Sequence, residues 1–178
     1  MLGTLNDESN NHLYTPKVEN TSKFTIQPVT EENVTKLRRL NSVLFPVNYS
    51  EHFYRAVLET GEMAKLAYFK DTCVGTVCCR REEIPDAEGQ IQLYIMTLGV
   101  LSPYRRCGLG SILLQHIFKE CEKEENIQKI YLHVQTGNEE ALKFYEKFGF
   151  IKSHLVEHYY RRIRDPNAFV LYKDLSQK

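Results

Sequence analysis

Apolar positions change rhythm repeatedly between residues 24 and 173, and each change marks an element. FTIQPV (24–29) alternates and predicts a short strand. Val34, Leu37, Leu40, Val43 and Leu44 then recur at helical spacing. Thr30 is placed to cap that helix, Asn33 stands where a capping box would carry Glu or Gln, and Pro46 stops it. A second helix is expected from Glu51 to Thr60, ended by Gly61. AKLAYFK and CVGTVCCRR read as strands about a tight turn at Lys70–Asp71, EEIPDAEG as a polar hairpin loop, and IQLYIMTLGV as a long apolar strand. Period-two alternation puts Tyr94, Met96 and Leu98 on one face of that strand.

Ile112, Leu113, Gln115, His116 and Ile117 lead a helix to about Glu125. KIYLHVQ reads as a strand with Ile130, Leu132 and Val134 on one face and Tyr131, His133 and Gln135 on the other. Asn138 caps a helix through EEALKFYEKFGF, which Gly149 terminates. FIKSHLVEHYY and AFVLYKDL predict two final strands about a turn at Asp165–Pro166–Asn167. The order β-αα-βββ-α-β-α-ββ predicts an α+β fold, a mixed central sheet of about seven strands flanked by about four helices.

Residues 1–22 are rich in Asn, Ser, Thr and Glu and poor in large apolar groups, which predicts a disordered tail before a single domain over 23–178. Composition narrows the function classes. Lys+Arg and Asp+Glu are 23 each, so no global field draws the chain to DNA or to a membrane surface. The polar start, with Asp7 and Glu8, is not a signal peptide, and no apolar run is long enough to span a bilayer. The five cysteines, without paired CxxC spacing, argue against a disulfide framework or a zinc site. They suit a reducing compartment, the cytoplasm or the nucleus.

The chemistry concentrates at YRRCGLGSILLQHI (104–117). Two glycines one residue apart stand between an apolar strand and a helix. Such a turn presents free amides and a helix dipole, and Arg105 and Arg106 add positive charge, which together suit a phosphate or pyrophosphate. The pattern is neither a P-loop nor GxGxxG. On the glycines alone, a tight turn with surface arginines explains it equally well.

The run R-x-x-G-x-G after a long strand resembles the acyl-CoA signature of the GCN5-related N-acetyltransferase (GNAT) superfamily. NEEALKFYEKFGF resembles that family's second signature, in the expected order. LNSVLFPVNY, LYIMTLGVLSPYRR, YLHVQTGNEEALKFYEKFGF and HYYRRI narrow the resemblance to the NatE-type branch of N-terminal acetyltransferases. The resemblance implies the GNAT fold over about residues 24–173, acetyl-CoA as cosubstrate and no metal. Leu98, Gly99, Val100, Arg105, Arg106, Gly108, Leu109, Gly110, Ser111, Asn138 and Tyr145 would hold the cofactor. The acceptor would be a peptide or nascent-chain N-terminus starting with Met and a hydrophobic residue. Partners would be a larger N-terminal acetyltransferase complex and the ribosome.

Acetyl transfer needs a neutral amine, and an α-amino group at about 7.7–8.0 is far closer to that state at pH 7 than lysine at about 10.4. Imidazole is suited to the proton. The resemblance carries the proton relay to Tyr94 and His133, through an ordered water, and places Tyr145 near the thioester sulfur. It carries the acceptor slot to Phe45, Pro46, Val47, Tyr49 and Met96 on one side and Tyr159, Tyr160 and Ile163 on the other. Direct attack in a ternary complex needs no acyl-enzyme, so Cys107 is not assigned as a nucleophile. Arg161, Arg162 and Arg164 form a local basic cluster, read either as a solvated face or as a docking point for a partner subunit or ribosomal RNA. The start Met1-Leu2 itself matches the implied substrate class, so modification by another copy is expected to be possible chemistry. Two alternatives stand beside this reading: a lysine or small-amine acetyltransferase on the same fold, and a non-catalytic acetyl-CoA-binding accessory subunit.

Overall fold

The computed structural model describes residues 23–176 apart from Arg162. The tail, its Met1-Leu2 start and the central arginine of the basic cluster therefore lie outside the described residues. The strands are β1 (Phe24–Pro28), β2 (Ala64–Phe69), β3 (Thr72–Glu83), β4 (Ile91–Val100), β5 (Ile127–Gln135), β6 (Ile151–Val156) and β7 (Ala168–Asp174). The helices are α1 (Val34–Leu44), α2 (Glu51–Leu58), α3 (Leu109–Glu122) and α4 (Glu139–Lys147). Their order is the one the sequence predicts.

The strands form one sheet in the order β1-β2-β3-β4-β5-β7-β6. Only β4 and β5 run parallel; the other neighbours are antiparallel. One face carries α3 and α4 over a core built on Leu93, Leu113, Leu114, Ile117, Ile130 and Phe148. The other carries α1 and α2 over Leu37, Leu40, Val57, Leu66 and Cys78. Cys78 and Cys79 fall on opposite faces, as strand alternation requires.

The parallel pair is short. β4 and β5 pair from Ile91↔Ile127 to Tyr94↔Tyr131 and then part. Past that row β4 stays on β3 as far as Gly75↔Val100, and β5 stays on β7 as far as Gln135↔Ala168. A β-bulge sits beside the parting. Cys78 faces Thr97 and Cys79 faces Ile95, so Met96 is an extra residue in β4. The bulge reverses the alternation beyond it. Leu93 and Ile95 lie on the α3/α4 face, and so do Leu98 and Val100. Met96 packs on the α1/α2 face. The expected shared face of Tyr94, Met96 and Leu98 is thus corrected: Leu98 points the other way.

Three further differences have local causes. The buried side of α1 is Leu37, Leu40, Asn41 and Leu44, and Val43 is 73% exposed. The buried spacing i, i+3, i+4, i+7 simply excludes it. The side chain of Asn33, the residue before α1, accepts from the Thr30 N–H and donates to the Pro28 carbonyl, so Asn33 ties down the entry to the helix and Thr30 does not cap it. The last predicted strand before β7 stops at Val156, because His158 takes a left-handed backbone (φ 53°) and turns the chain into a loop over 157–167. Tyr159 and Tyr160 therefore sit in a loop.

Gly99 fixes how closely the end of α1 approaches the sheet. A Cβ there would lie 2.9 Å from Leu44 Cδ1 and 2.9 Å from Phe45 Cζ. Gly99→Ala is expected to cost about 1–3 kcal/mol in urea unfolding. The substitution should also raise the peptide KM by displacing Phe45.

Candidate active site

The parting of β4 from β5 leaves the β4 backbone beyond Tyr94 without a partner on its β5 side. Leu98, Gly99 and Val100 lie on that edge. At its end the chain passes through Ser102–Tyr104 and enters α3 through Gly108, whose φ of 81° is left-handed and favours glycine. The first amides of α3, from Leu109 through Ser111, have no partner within the helix and point back along its axis. The Leu109 side chain is core, so its share in this cradle is its backbone N–H. A Cβ on Gly110 would meet only Phe144, at 3.5 Å, an ordinary contact. An open strand edge that leads to a helix N-terminus fits an extended pantetheine ending in a pyrophosphate.

Each polar group around the cradle has a definite place. Arg105 Nε donates to the Val100 carbonyl at 2.9 Å, so this side chain fastens the turn to the end of β4. Arg106 is exposed and pairs with Glu140 at 3.1 Å. Asn138 accepts from the Ala141 N–H at 3.1 Å and caps α4. Tyr145 is buried on α4 against Phe144 and Phe150. Cys107 is exposed, its thiol directed to the Arg105 carbonyl.

Aromatic residues gather on the α1/α2 face, at the row where the strands part. Tyr94 of β4 stacks on Tyr131 of β5 with centroids 4.8 Å apart. The Tyr94 hydroxyl is 2.8 Å from that of Tyr159. The Tyr159 ring lies flat on the His133 imidazole, 4.1 Å away and 10° from parallel. Tyr94 also meets His133 edge-on at 5.6 Å. Phe45 and Tyr49, from the loop between α1 and α2, form an edge contact with each other. Tyr159 and Tyr160 lie close enough to Tyr49 to disfavour its ionisation. Pro46 is exposed, while Val47, Met96 and Ile163 are half-buried.

Burial sets the protonation states. It is the main cause pushing the phenols of Tyr94, Tyr49 and Tyr145 well above the usual tyrosine range. The Tyr160 phenol is pushed up to about 12 by burial and by Tyr159. These groups stay protonated at neutral pH and act as hydrogen-bond donors. His133 moves the other way. Burial holds its imidazole below the ordinary value, His154 adds to the effect, and Glu82 opposes it. His133 is therefore neutral at pH 7, and its buried Nδ1 has no hydrogen-bond partner. A neutral imidazole beside a protonated phenol is a pair suited to proton transfer.

The structure thus brings Tyr94, His133, Tyr159, Tyr160, Phe45 and Tyr49 to one place. Tyr145 approaches from the opposite face, and Tyr160 is near enough to disfavour its ionisation. The sequence reading passed over Tyr131, Arg80 and Glu82, although Tyr131 shares the alternation of His133. It also passed over Asp165. The Asp165 carboxylate accepts from Thr136 Oγ1 and from the Gly137 N–H, both at 2.8 Å, and ties the tyrosine loop to the end of β5. Gln135 Nε2 donates to the Asp165 carbonyl at 2.8 Å, and the Tyr160 N–H to the Pro166 carbonyl at 2.8 Å.

The family description "Acetyltransferase (GNAT) family" matches residues 34–150. The chain belongs to the GNAT acetyltransferase family. It is 52% identical over 153 residues to N-alpha-acetyltransferase 50 of Danio rerio, covering 86% of this chain and 89% of that one. It is 50% identical over 156 residues to the probable N-acetyltransferase san of Drosophila melanogaster, covering 88% and 83%. Among solved structures it superposes with TM-score 0.81 and 44% identity on Arabidopsis thaliana Naa50 in complex with the bisubstrate analogue CoA-Ac-MVNAL, covering 86% of this chain and 99% of that one. The GNAT chain described here is accordingly an acetyltransferase enzyme of the N-terminal class.

Asp165→Ala should release the 157–167 loop while leaving the acetyl-CoA cradle intact. A several-fold rise in peptide KM with unchanged acetyl-CoA KM is the expected steady-state result.

Proposed function

We propose that this N-terminal acetyltransferase acetylates the α-amino group of protein chains beginning with Met followed by a hydrophobic residue. The observation that carries this reading is the aromatic cluster beside Tyr94 and His133, in which Tyr159 meets the Tyr94 hydroxyl and lies flat on the imidazole with Tyr160 against it and Tyr49 and Phe45 nearby. On this reading Phe45, Val47 and Tyr49 would wall one side of an acceptor slot and Tyr159, Tyr160 and Ile163 the other. The Arabidopsis relative is held with an analogue whose peptide part begins Met-Val. A slot closed by two loops suits a chain end, because a mid-chain lysine would need its flanking residues to pass through both walls. The lysine alternative loses ground on that argument, and the accessory-subunit alternative on the protonation states of His133 and Tyr94.

Acetyl-CoA is the acetyl donor, and when bound it supplies the thioester carbonyl that the amine attacks. The residues that would hold it are the open β4 edge at Leu98–Val100 and the amides from Gly108 to Ser111. His133 accepts the proton of the attacking amine, directly or through one water. Tyr94 stays protonated and positions that amine or water through its hydroxyl, which Tyr159 also engages. Tyr145, buried and protonated on α4, would donate toward the departing sulfur. Acceptors would be nascent or mature chain ends in the cytoplasm. The thiols of Cys73, Cys78, Cys79 and Cys107 support a reducing compartment.

Thiol release from acetyl-CoA with a Met-Leu peptide, a Ser-Ala peptide and an N-terminally blocked lysine peptide tests the reading. Turnover is expected on Met-Leu alone. His133→Ala should lose about a hundredfold or more in kcat. Tyr94→Phe should lose about tenfold, the worth of one hydrogen bond. At saturating substrates, kcat of the unsubstituted enzyme should fall on the acid side as His133 takes up a proton, with a midpoint below that of an ordinary imidazole because burial disfavours the charged form. Turnover mainly on the blocked lysine peptide would replace the reading.

A further inference from the structure

Across three adjacent strands of the sheet runs a single row of side chains. Arg80 on β3 is opposite Tyr94 on β4, and Tyr94 is opposite Tyr131 on β5. The Arg80 guanidinium lies 5.4 Å from the Tyr94 ring centroid, and the Tyr131 ring stacks on Tyr94 from the other flank at 4.8 Å. Glu82 is two residues along β3, so it shares the face of Arg80. One of its carboxylate oxygens accepts from Arg80, with Nε at 2.9 Å. The other accepts from the Tyr131 hydroxyl and, at 3.5 Å, from Gln92 Nε2 on β4.

We propose that Glu82 is a positioning residue for acetyl transfer: its carboxylate joins Arg80 to Tyr131 and so clamps the Tyr94 ring from both flanks, fixing where the Tyr94 hydroxyl points. The proposal rests on the assignment of Tyr94 and His133 to the reaction given above. The argument is geometric. Tyr94 holds its ring between two neighbours that are themselves mobile: a guanidinium on a flexible stem and a phenol. Neither neighbour is fixed by the core, since both lie on the half-buried side of the sheet. One carboxylate, with its side chain 21% exposed, fastens both. Charge-assisted hydrogen bonds of this kind are stronger and shorter than neutral ones, so a single group can set the position of the guanidinium and of the two tyrosine rings. Tyr94 then sets Tyr159 through its hydroxyl, and Tyr159 lies flat on His133.

Glu82 also bears on the charge state of the cluster. The groups acting on His133 are Tyr94 from β4, Tyr131 from its own strand, Glu82 from β3, His154 from β6 and Tyr159 from the loop, with Arg80 paired to Glu82 and Tyr172 of β7 opposite Tyr131. Glu82 is the carboxylate among them, and it opposes the downward effect of burial and of His154 on the imidazole. Removing its charge should make His133 harder to protonate.

The test compares Glu82→Ala, Glu82→Gln and Tyr131→Phe in the full chain, by steady-state kinetics with a Met-Leu peptide, thermal melting, and NMR titration of the His133 imidazole protons. Glu82→Ala is expected to lower kcat about tenfold with peptide and acetyl-CoA KM within about twofold of the parent. Glu82→Gln, which keeps an acceptor for Tyr131, should recover most of that loss. Glu82→Ala and Tyr131→Phe should not add when combined, because they break one clamp. The His133 titration should move to lower pH in both Glu82 variants. Parental kcat in Glu82→Ala overturns the proposal. So does a loss that is additive with Tyr131→Phe and follows the fall in melting temperature, and so does an unmoved His133 titration. Failure of the parent enzyme to turn over any peptide would instead strike the proposed function, and the titration would still report whether Glu82 governs the Tyr94–His133 pair.

Discussion

The structure depends on the failure of two parallel strands to stay paired. β4 and β5 hold together for four rows and separate after Tyr94↔Tyr131. Backbone amides and carbonyls left open inside a protein are costly, and native folds rarely leave them so. Here the open edge is retained and leads directly to the N-terminus of α3, where further amides lack intrahelical partners. The two sets of unsatisfied groups form one continuous surface. A cosubstrate with an extended amide-bearing arm and a charged end completes both sets, so the cost of the gap is offset when the enzyme is loaded.

The bulge at Met96 belongs to the same device. Without it, Leu98 would share the face of Tyr94 and Gly99 would point at the α3/α4 core. With it, Gly99 turns toward α1, and its missing Cβ admits Leu44 and Phe45. The end of α1, with Phe45, is therefore seated on the same strand whose far edge is left open by the parting from β5. The same row that ends the pairing holds Tyr94 and Tyr131. Tyr94 thus stands at the last row where β4 and β5 are paired, and His133 lies two residues beyond that row on β5.

Much of this was legible in the sequence. Helical and strand periodicities, with turn residues between them, located the seven strands and four α-helices of the described residues, while the short 3-10 turns at Gly61–Met63 and Ser102–Tyr104 carry no periodicity to find. The glycine turn and the helix after Asn138 identified the family. The bulge was missed, although the sequence carries its mark: the apolar phase runs Leu93, Ile95 and then Leu98, Val100, a slip of one residue that strict alternation ignores. The stretch 157–160 reads as strand because Tyr159 and Tyr160 have strong strand propensity, while the turn at Asp165–Pro166–Asn167 is legible. A left-handed residue at His158 and the bonds around Asp165 override that propensity. Arg80 and Glu82 were invisible for another reason. On a hairpin strand they look like ordinary solvent-facing charges, and only the register with β4 and β5 places them beside Tyr94.

That register explains how a site made mostly of phenols can handle a proton near pH 7. Phenols buried together resist ionisation, so they hold position and donate hydrogen bonds without competing for the proton. His133 is the imidazole that the phenols enclose, stacked under Tyr159 and met edge-on by Tyr94. Burial holds the imidazole below its ordinary range and His154 adds to the effect, while Glu82 opposes both from the far side of β4. Tyr159, bonded to the Tyr94 hydroxyl, lies flat on that imidazole, so one packing arrangement fixes both the phenol and the ring beside it.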